Sequence, residues 1–176
     1  MKFRRNSNST AWLSHPVPPG KSRIPLIIVC GPPAAGKSTY VAERRGPDDL
    51  VIDLDQIAAA LGNTTAHGWD PRSCLMPALE QRNRLLEAIC EQPCQWPRAW
   101  LIVCEPVAEW RDWWQKFWGP ERIVVIETSA EECWARVCRD PERRRDAGST
   151  LKGIVRWFAD YRPRKGDEVI REPGIA

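Results

Sequence analysis

The chain has 176 residues, of which 43% are hydrophobic and 28% charged, with 26 Lys and Arg against 23 Asp and Glu. That length and apolar fraction provide for one domain with a sizeable core and exclude a disordered chain. A net charge of +3 does not demand a nucleic-acid partner, although it suits an anionic ligand.

Seven cysteines, an odd number scattered through apolar runs and helix-like segments, read as reduced thiols rather than a disulfide framework. Cys74, Cys90 and Cys94 make at most half of a zinc site, because no matching Cys/His pair follows at a usual spacing. The leader MKFRRNSNSTAWLSHPVPPGK is basic but lacks an apolar stretch, so no secretory signal is expected there. No later run is long enough to span a bilayer, and no membrane partner is expected. Residues 1–20 read as a flexible or surface-packed arm anchored by Trp12, and residues 21–176 as the single domain.

In chain order, Pro25-Leu26-Ile27-Ile28-Val29-Cys30 is the unbroken apolar run of a buried parallel strand. A helix follows from Lys37 to about Arg45, then a strand at Leu50 to Asp53 and a short helix from Asp55 to Leu61. The polar stretch from Asn63 to Ser73, interrupted by Gly68 and Pro71, reads as a mobile loop over a cleft. Leu75, Leu79, Leu86 and Ile89 then recur at helical spacing and predict a helix over 75–91. A third strand spans Ala99 to Cys104. Val107, Trp110, Trp114, Phe117 and Trp118 stripe the next helix, which Gly119-Pro120 ends. A fourth strand at Ile123 to Ile126, a helix from Ala130 to about Asp140, and a last helix marked by Leu151, Ile154, Val155 and Phe158 follow; Glu168 to Arg171 is a weaker fifth strand. This alternation predicts a three-layer α/β fold, with a mostly parallel sheet of four or five strands and helices on both faces.

Gly31 to Ser38, GPPAAGKS, fits G-x-x-x-x-G-K-[ST] between the first strand and the first helix, the context that gives the motif its meaning. Gly31 and Gly36 permit backbone angles that a Cβ resists, and Ala34 and Ala35 keep the wall thin. Pro32 and Pro33 have no N–H to give, so the anion nest falls to amides of about 34 to 39, Thr39 included, at a helix start where the dipole also favours phosphate. Lys37 then reaches the β- and γ-phosphates and the Ser38 hydroxyl takes Mg²⁺. Ligands of such sheets gather at the carboxyl ends of the strands, so Gly31 to Ser38, Asp53 to Asp55, Glu105 and Thr128 are expected on one rim.

Asp53 and Asp55 stand one residue apart at the end of the second strand, where extended geometry turns both to the same side. With the loop motif, this pair makes residues 24–160 resemble the P-loop kinase superfamily, particularly small polynucleotide, shikimate and gluconate kinases and the short ATP-binding proteins of phage genomes. The resemblance implies the P-loop NTPase fold, ATP and Mg²⁺ as cofactors, and a carboxylate after the second strand as base toward the acceptor hydroxyl. That role falls on Asp55 or Asp53, with Asp55 favoured as base. Asp53 would then hold a Mg²⁺-bound water or orient the acceptor; capping of the following helix is the plainer reading of either.

Glu105, ending the third strand, stands where many P-loop proteins place an Asp that binds the Mg²⁺ shell through water, and is otherwise a carboxylate near the start of the Trp-rich helix. Arg136, Arg139 and the Arg143-Arg144-Arg145 run look like the family's lid, about residues 139–149, whose arginines clamp the transferring phosphoryl. Arg136 and Arg139 share a helix face and are expected to point together into the cleft, with Asp146-Ala147-Gly148 as a hinge turn; a solvated helix end is the alternative. Arg82 interrupts an apolar stripe, and binds an acceptor phosphate, pairs with an acid across the cleft, or snorkels to the helix edge.

The expected function is an ATP-dependent kinase acting on a hydroxyl, favoured as that of a nucleotide or a nucleic-acid 5′ end, in the cytoplasm, or the host cytoplasm if viral. The alternatives are a nucleotide-binding NTPase module for nucleic-acid processing or packaging with water as its only acceptor, and a toxin-like sugar-nucleotide kinase. An AAA-type motor is disfavoured, for want of a second helical domain and of an Arg finger beyond the lid. His15 and His67 receive no assigned role, although His67 lies in the loop over the cleft.

Overall fold

The computed structural model describes residues 15–16, 18–91 and 94–171, and only the backbone of Arg145. The expectation that Trp12 anchors the arm lies outside the described residues.

Five strands, β1 (Leu26–Cys30), β2 (Leu50–Asp53), β3 (Ala99–Val103), β4 (Arg122–Glu127) and β5 (Asp167–Arg171), form one sheet in the order β2-β3-β1-β4-β5. Every neighbouring pair is parallel, and the weak fifth strand is real, pairing Ile123 to Glu127 with Asp167 to Arg171. β1 is fully buried along its length, as a strand covered on both faces must be. Its side chains alternate between two cores. Leu26, Ile28 and Cys30 pack with Leu86, Ile89, Trp114 and Trp118 on one face, while Ile27 and Val29 pack with Tyr40, Val41, Val137 and Ile154 on the other.

The helices are α1 (Lys37–Arg44), α2 (Leu54–Gly62), α3 (Pro71–Ala88), α4 (Ala108–Trp118), α5 (Ala130–Arg139) and α6 (Ala147–Asp160), with a 3-10 turn over Arg143–Asp146 before the last. Several boundaries differ from the sequence expectation; α2 begins one residue early, at Leu54, so that Asp55 lies in its first turn. The loop after α2 is shorter, because Asp70 accepts from the Arg72 amide as N-cap and Pro71 opens α3 at a position where a missing N–H costs nothing. α3 ends at Ala88, three residues before the expected end. The expected hinge at Asp146-Ala147-Gly148 is instead the junction of the 3-10 turn with α6.

β1 is the switch point of the sheet: the chain leaves it for β2 on one side, returns through β3, and crosses to β4 on the other. A crevice at the carboxyl end of β1 follows from that order. Arg111 of α4 ties the start of β5 to the segment after β3; fully buried, it donates from Nε to Asp167 Oδ2 at 2.8 Å and from a terminal nitrogen to the Glu105 carbonyl at 2.8 Å. Among the described residues, no helix is long and apolar enough to cross a membrane.

Candidate active site

An open cleft of about 1330 Å³ lies at this end of the sheet, lined by residues 33–39, 53–56, 66–71, Arg82, 102–105 and, from the far side, Arg136, Asp140, Arg143 and Asp146. Gly36 takes φ 93 as the cap of α1, an angle that strains any residue with a Cβ, and has no side chain to occupy the first-turn amides. Ala34 also adopts the left-handed region, at φ 62, so a non-glycine holds a costly angle in the middle of the loop. Lys37 is almost fully buried. Its Nζ donates to the carbonyls of Gly31 at 3.0 Å and Pro32 at 2.7 Å and to Cys104 Sγ at 3.3 Å, drawing the loop around one ammonium.

Gly31 lies under the loop rather than on its wall, because a Cβ there would meet the Ile126 carbonyl oxygen at 3.0 Å. Thr128, expected on the rim, is likewise beneath it: its buried hydroxyl donates to the Ala35 carbonyl at 3.0 Å and props the loop from β4. The other expected segments line the cleft together.

Ser38 Oγ donates to Asp53 Oδ2 at 3.1 Å, joining the start of α1 to the end of β2. The other Asp53 oxygen accepts from the Asp55 amide at 3.0 Å, so Asp53 caps α2 and faces the loop at once. Asp55 lies on the cleft wall. Desolvation between the walls, then the neighbouring Asp53 charge, raises its carboxyl above the ordinary value, against opposing pulls from His67, Lys37 and a Trp69 hydrogen bond. Glu105 is buried at the end of the segment after β3 and also lines the cleft. Ser38, Asp53 and Glu105 present hard oxygen donors of the kind Mg²⁺ takes beside phosphate oxygens and water. No cluster of three or more His, Cys, Asp or Glu suited to a metal occurs among the described residues.

The two helix arginines part company. Arg136 donates from Nε to Glu132 at 3.0 Å and from a terminal nitrogen to the Ala34 carbonyl at 3.4 Å, which lays it against the phosphate loop. Arg139 does not line the cleft; Glu132 takes it as well, at 3.0 Å, and holds it at the solvent side of α5. One carboxylate a turn and two turns back thus decides both orientations. Arg143 lines the cleft beside Asp140, at 3.3 Å, while Arg144 turns away to the Cys138 carbonyl. Gly153 lets α6 close on the loop, since a Cβ there would meet Pro33 at 3.2 Å.

The wall opposite the loop is made of side chains from α3 and the segment before it: His67, Trp69, Leu75, Met76, Leu79 and Arg82. Arg82 is buried rather than snorkelling; it donates to Asn83 Oδ1 at 2.8 Å, and desolvation lowers its guanidinium to about 10. Two cleft residues escape sequence reasoning. Cys104 meets Lys37 only through the fold, and His15 reaches the cleft from the arm, where a single His among Pro and Ser carries no pattern.

A family model described as AAA domain matches residues 26–159, from β1 into α6. The chain belongs to the AAA domain family. Its five-stranded parallel sheet with helices on both faces is the three-layer P-loop NTPase fold. Among solved structures, shikimate kinase from Bacteroides thetaiotaomicron is 13% identical, with 84% of this chain and 85% of that one covered at a TM-score of 0.50. Shikimate kinase from Acinetobacter baumannii, in complex with shikimate, is 17% identical over 86% of each chain, with a TM-score of 0.49. At 13% identity the first likeness is one of fold. No curated protein matches the sequence.

Proposed function

We propose that the protein is an ATP-dependent kinase that transfers the γ-phosphoryl to a hydroxyl, with a nucleotide or a nucleic-acid 5′ end as acceptor. The observation that carries this reading is the Ser38 to Asp53 hydrogen bond, which brings the phosphate loop and the paired aspartates into one site, with Asp55 on the wall between loop and open cleft. A plain hydrolase has no need of a second carboxylate so placed. The cleft exceeds the roughly 300–1,000 Å³ of a pocket for one small ligand, which suits a donor and an acceptor held together.

In this reading the α1 amides and Lys37 hold the β- and γ-phosphates, and Ser38 and Asp53 face the metal, with Glu105 on its water shell. Mg²⁺, when bound, supplies charge neutralisation between the phosphates. Asp55 accepts the acceptor's hydroxyl proton as the new oxygen–phosphorus bond forms and the bond to the ADP leaving oxygen breaks. Its raised carboxyl suits it to take that proton. Arg136 and Arg143 supply planar donors to the transferring phosphoryl, and positioning with charge stabilisation is the main requirement of that chemistry. Arg82 and Trp69 belong to the acceptor, as an anion contact and a flat apolar surface.

The test is transfer from γ-labelled ATP to a panel of 5′-hydroxyl oligonucleotides, nucleosides, nucleotides and sugars. Label is expected on a nucleotide or oligonucleotide hydroxyl, and Lys37→Ala is expected to lower turnover by about 10²–10³-fold, as loss of one charge-stabilising group does. Label found only in free phosphate would sink the kinase and leave an NTPase.

A further inference from the structure

The arm lies outside the residues that match the family, yet it enters the cleft. His15 Nε2 stands 2.7 Å from Glu105 Oε2, with side-chain exposures of 13% and 11%. A carboxylate offers only acceptors, so Nε2 carries the proton and donates. The imidazole stacks on Trp110, ring centroids 3.8 Å apart and planes 15° from parallel, and meets Trp113 edge-on at 5.5 Å. Behind it the chain is pinned repeatedly: Trp118 Nε1 donates to the Pro16 carbonyl at 3.2 Å, and the amides of Ser22 and Arg23 donate to Trp118 and Ile89 carbonyls at 3.0 and 2.8 Å. This seat is built, and its tip is a hydrogen bond to one carboxylate.

We infer that His15 is a positioning residue of the active site, by which the arm sets the Glu105 carboxylate for the metal side of bound ATP. The inference rests on the metal role proposed above for Glu105. A glutamate has three rotatable bonds, and a buried carboxylate needs a partner. Arg111 fixes only the Glu105 carbonyl, at 2.8 Å, and does nothing for the side chain's direction. By occupying one Glu105 oxygen at 2.7 Å, His15 fixes the direction of that carboxylate. The other oxygen stays open to a metal-bound water. Hydrogen-bond partners of this outer kind are worth about 10–100-fold in metal affinity.

The experiment measures ATP binding by calorimetry in EDTA and in Mg²⁺, and takes the ratio of the two affinities as the metal gain. It compares the unsubstituted protein with Glu105→Gln, His15→Phe and His15→Gln, all checked by thermal melting. Phe keeps an aromatic ring on Trp110 but gives Glu105 no donor, so the metal gain is expected to fall about tenfold while metal-free ATP binding stays. Gln places an amide N–H near the same carboxylate and is expected to restore the gain, which a purely structural role of His15 would not produce. A wild-type gain in His15→Phe, alongside a reduced one in Glu105→Gln, would overturn the inference alone. A larger gain in His15→Phe would overturn it too, showing an arm that screens Glu105. If Phe at this position does not fold, the Gln variant decides, a gain reduced to that of Glu105→Gln being contrary. No metal gain in the wild type, or no change in Glu105→Gln, would overturn the metal role of Glu105 and this inference with it.

Discussion

The two sides of the cleft are made of different material. On the phosphate side the work falls to main chain: helix-start amides, Gly36 and Ala34 in left-handed angles, and a lysine folded over loop carbonyls. On the other side it falls to side chains, with Asp55, Trp69, Leu79 and Arg82 projecting from α2, α3 and the segment between them, and His15 arriving from the arm. A main-chain site is general for phosphate and tolerant of side-chain change, provided the special angles survive. A side-chain site is specific and fragile, because each group depends on a neighbour from elsewhere in the chain.

The largest effect expected from that difference is at Asp55. Asp55→Asn keeps the shape of the wall and leaves the phosphate loop untouched, so ATP binding is expected to be unchanged while transfer falls by about 10²–10⁴-fold, the usual contribution of a positioned base. Binding by calorimetry and single-turnover transfer separate the two. Full transfer in Asp55→Asn would move the base role to Asp53 and make Asp55 only the residue whose amide Asp53 caps.

A smaller effect distinguishes the arginines of α5. Arg136 touches the loop at Ala34, and Arg136→Ala is expected to lower transfer by about 10–100-fold, the worth of a charged hydrogen bond of 1.5–3 kcal/mol. Arg139→Ala removes a surface ion pair and is expected to leave transfer at the wild-type rate, with stability changed by less than about 1 kcal/mol. Equal losses in the two variants would show that Arg139 leaves Glu132 during the reaction and enters the cleft.

What was legible in the sequence follows the same division. The strands were readable because parallel strands buried on both faces must be continuous apolar runs, as Leu26 to Cys30 is. The loop was readable because unusual angles demand glycine at fixed spacing, and Asp53 because it ends a strand; Asp55 reaches the cleft from the first turn of α2 and not by the extended geometry expected of it. Arg111 was not: it sits inside a tryptophan stripe, and its partner Asp167 is 56 residues away, so no local pattern marks it as the buried tie to β5. His15 and Glu105 are 90 residues apart. Thr128 lay one step from the right answer, at the strand's end but under the loop, since a short hydroxyl there reaches the Ala35 carbonyl before it reaches the cleft. Pro71 was misread as a break because a proline ends a helix and opens one equally well, and only the Asp70 cap before it decides which.

The smallest expected effect probes the main-chain side at its one strained non-glycine. Left-handed angles cost an alanine about 1–2 kcal/mol, and a glycine placed there forfeits about 0.4–1 kcal/mol through the freer unfolded chain. Ala34→Gly is therefore expected to stabilise the free protein by about 0–1.6 kcal/mol, each kcal/mol of which is, for a chain of this size, a rise in melting temperature of about 2–4 °C. Strain held in the loop before ATP arrives is preorganisation, so the same substitution is expected to reduce the further rise in melting temperature that saturating ATP produces. The two shifts have opposite sign in one variant, which no simple loss of packing at this small side chain would give. A lower melting temperature without ATP would mean that the Ala34 methyl, packed at the edge of the core of Ile27, Val29 and Val137, outweighs the backbone angle.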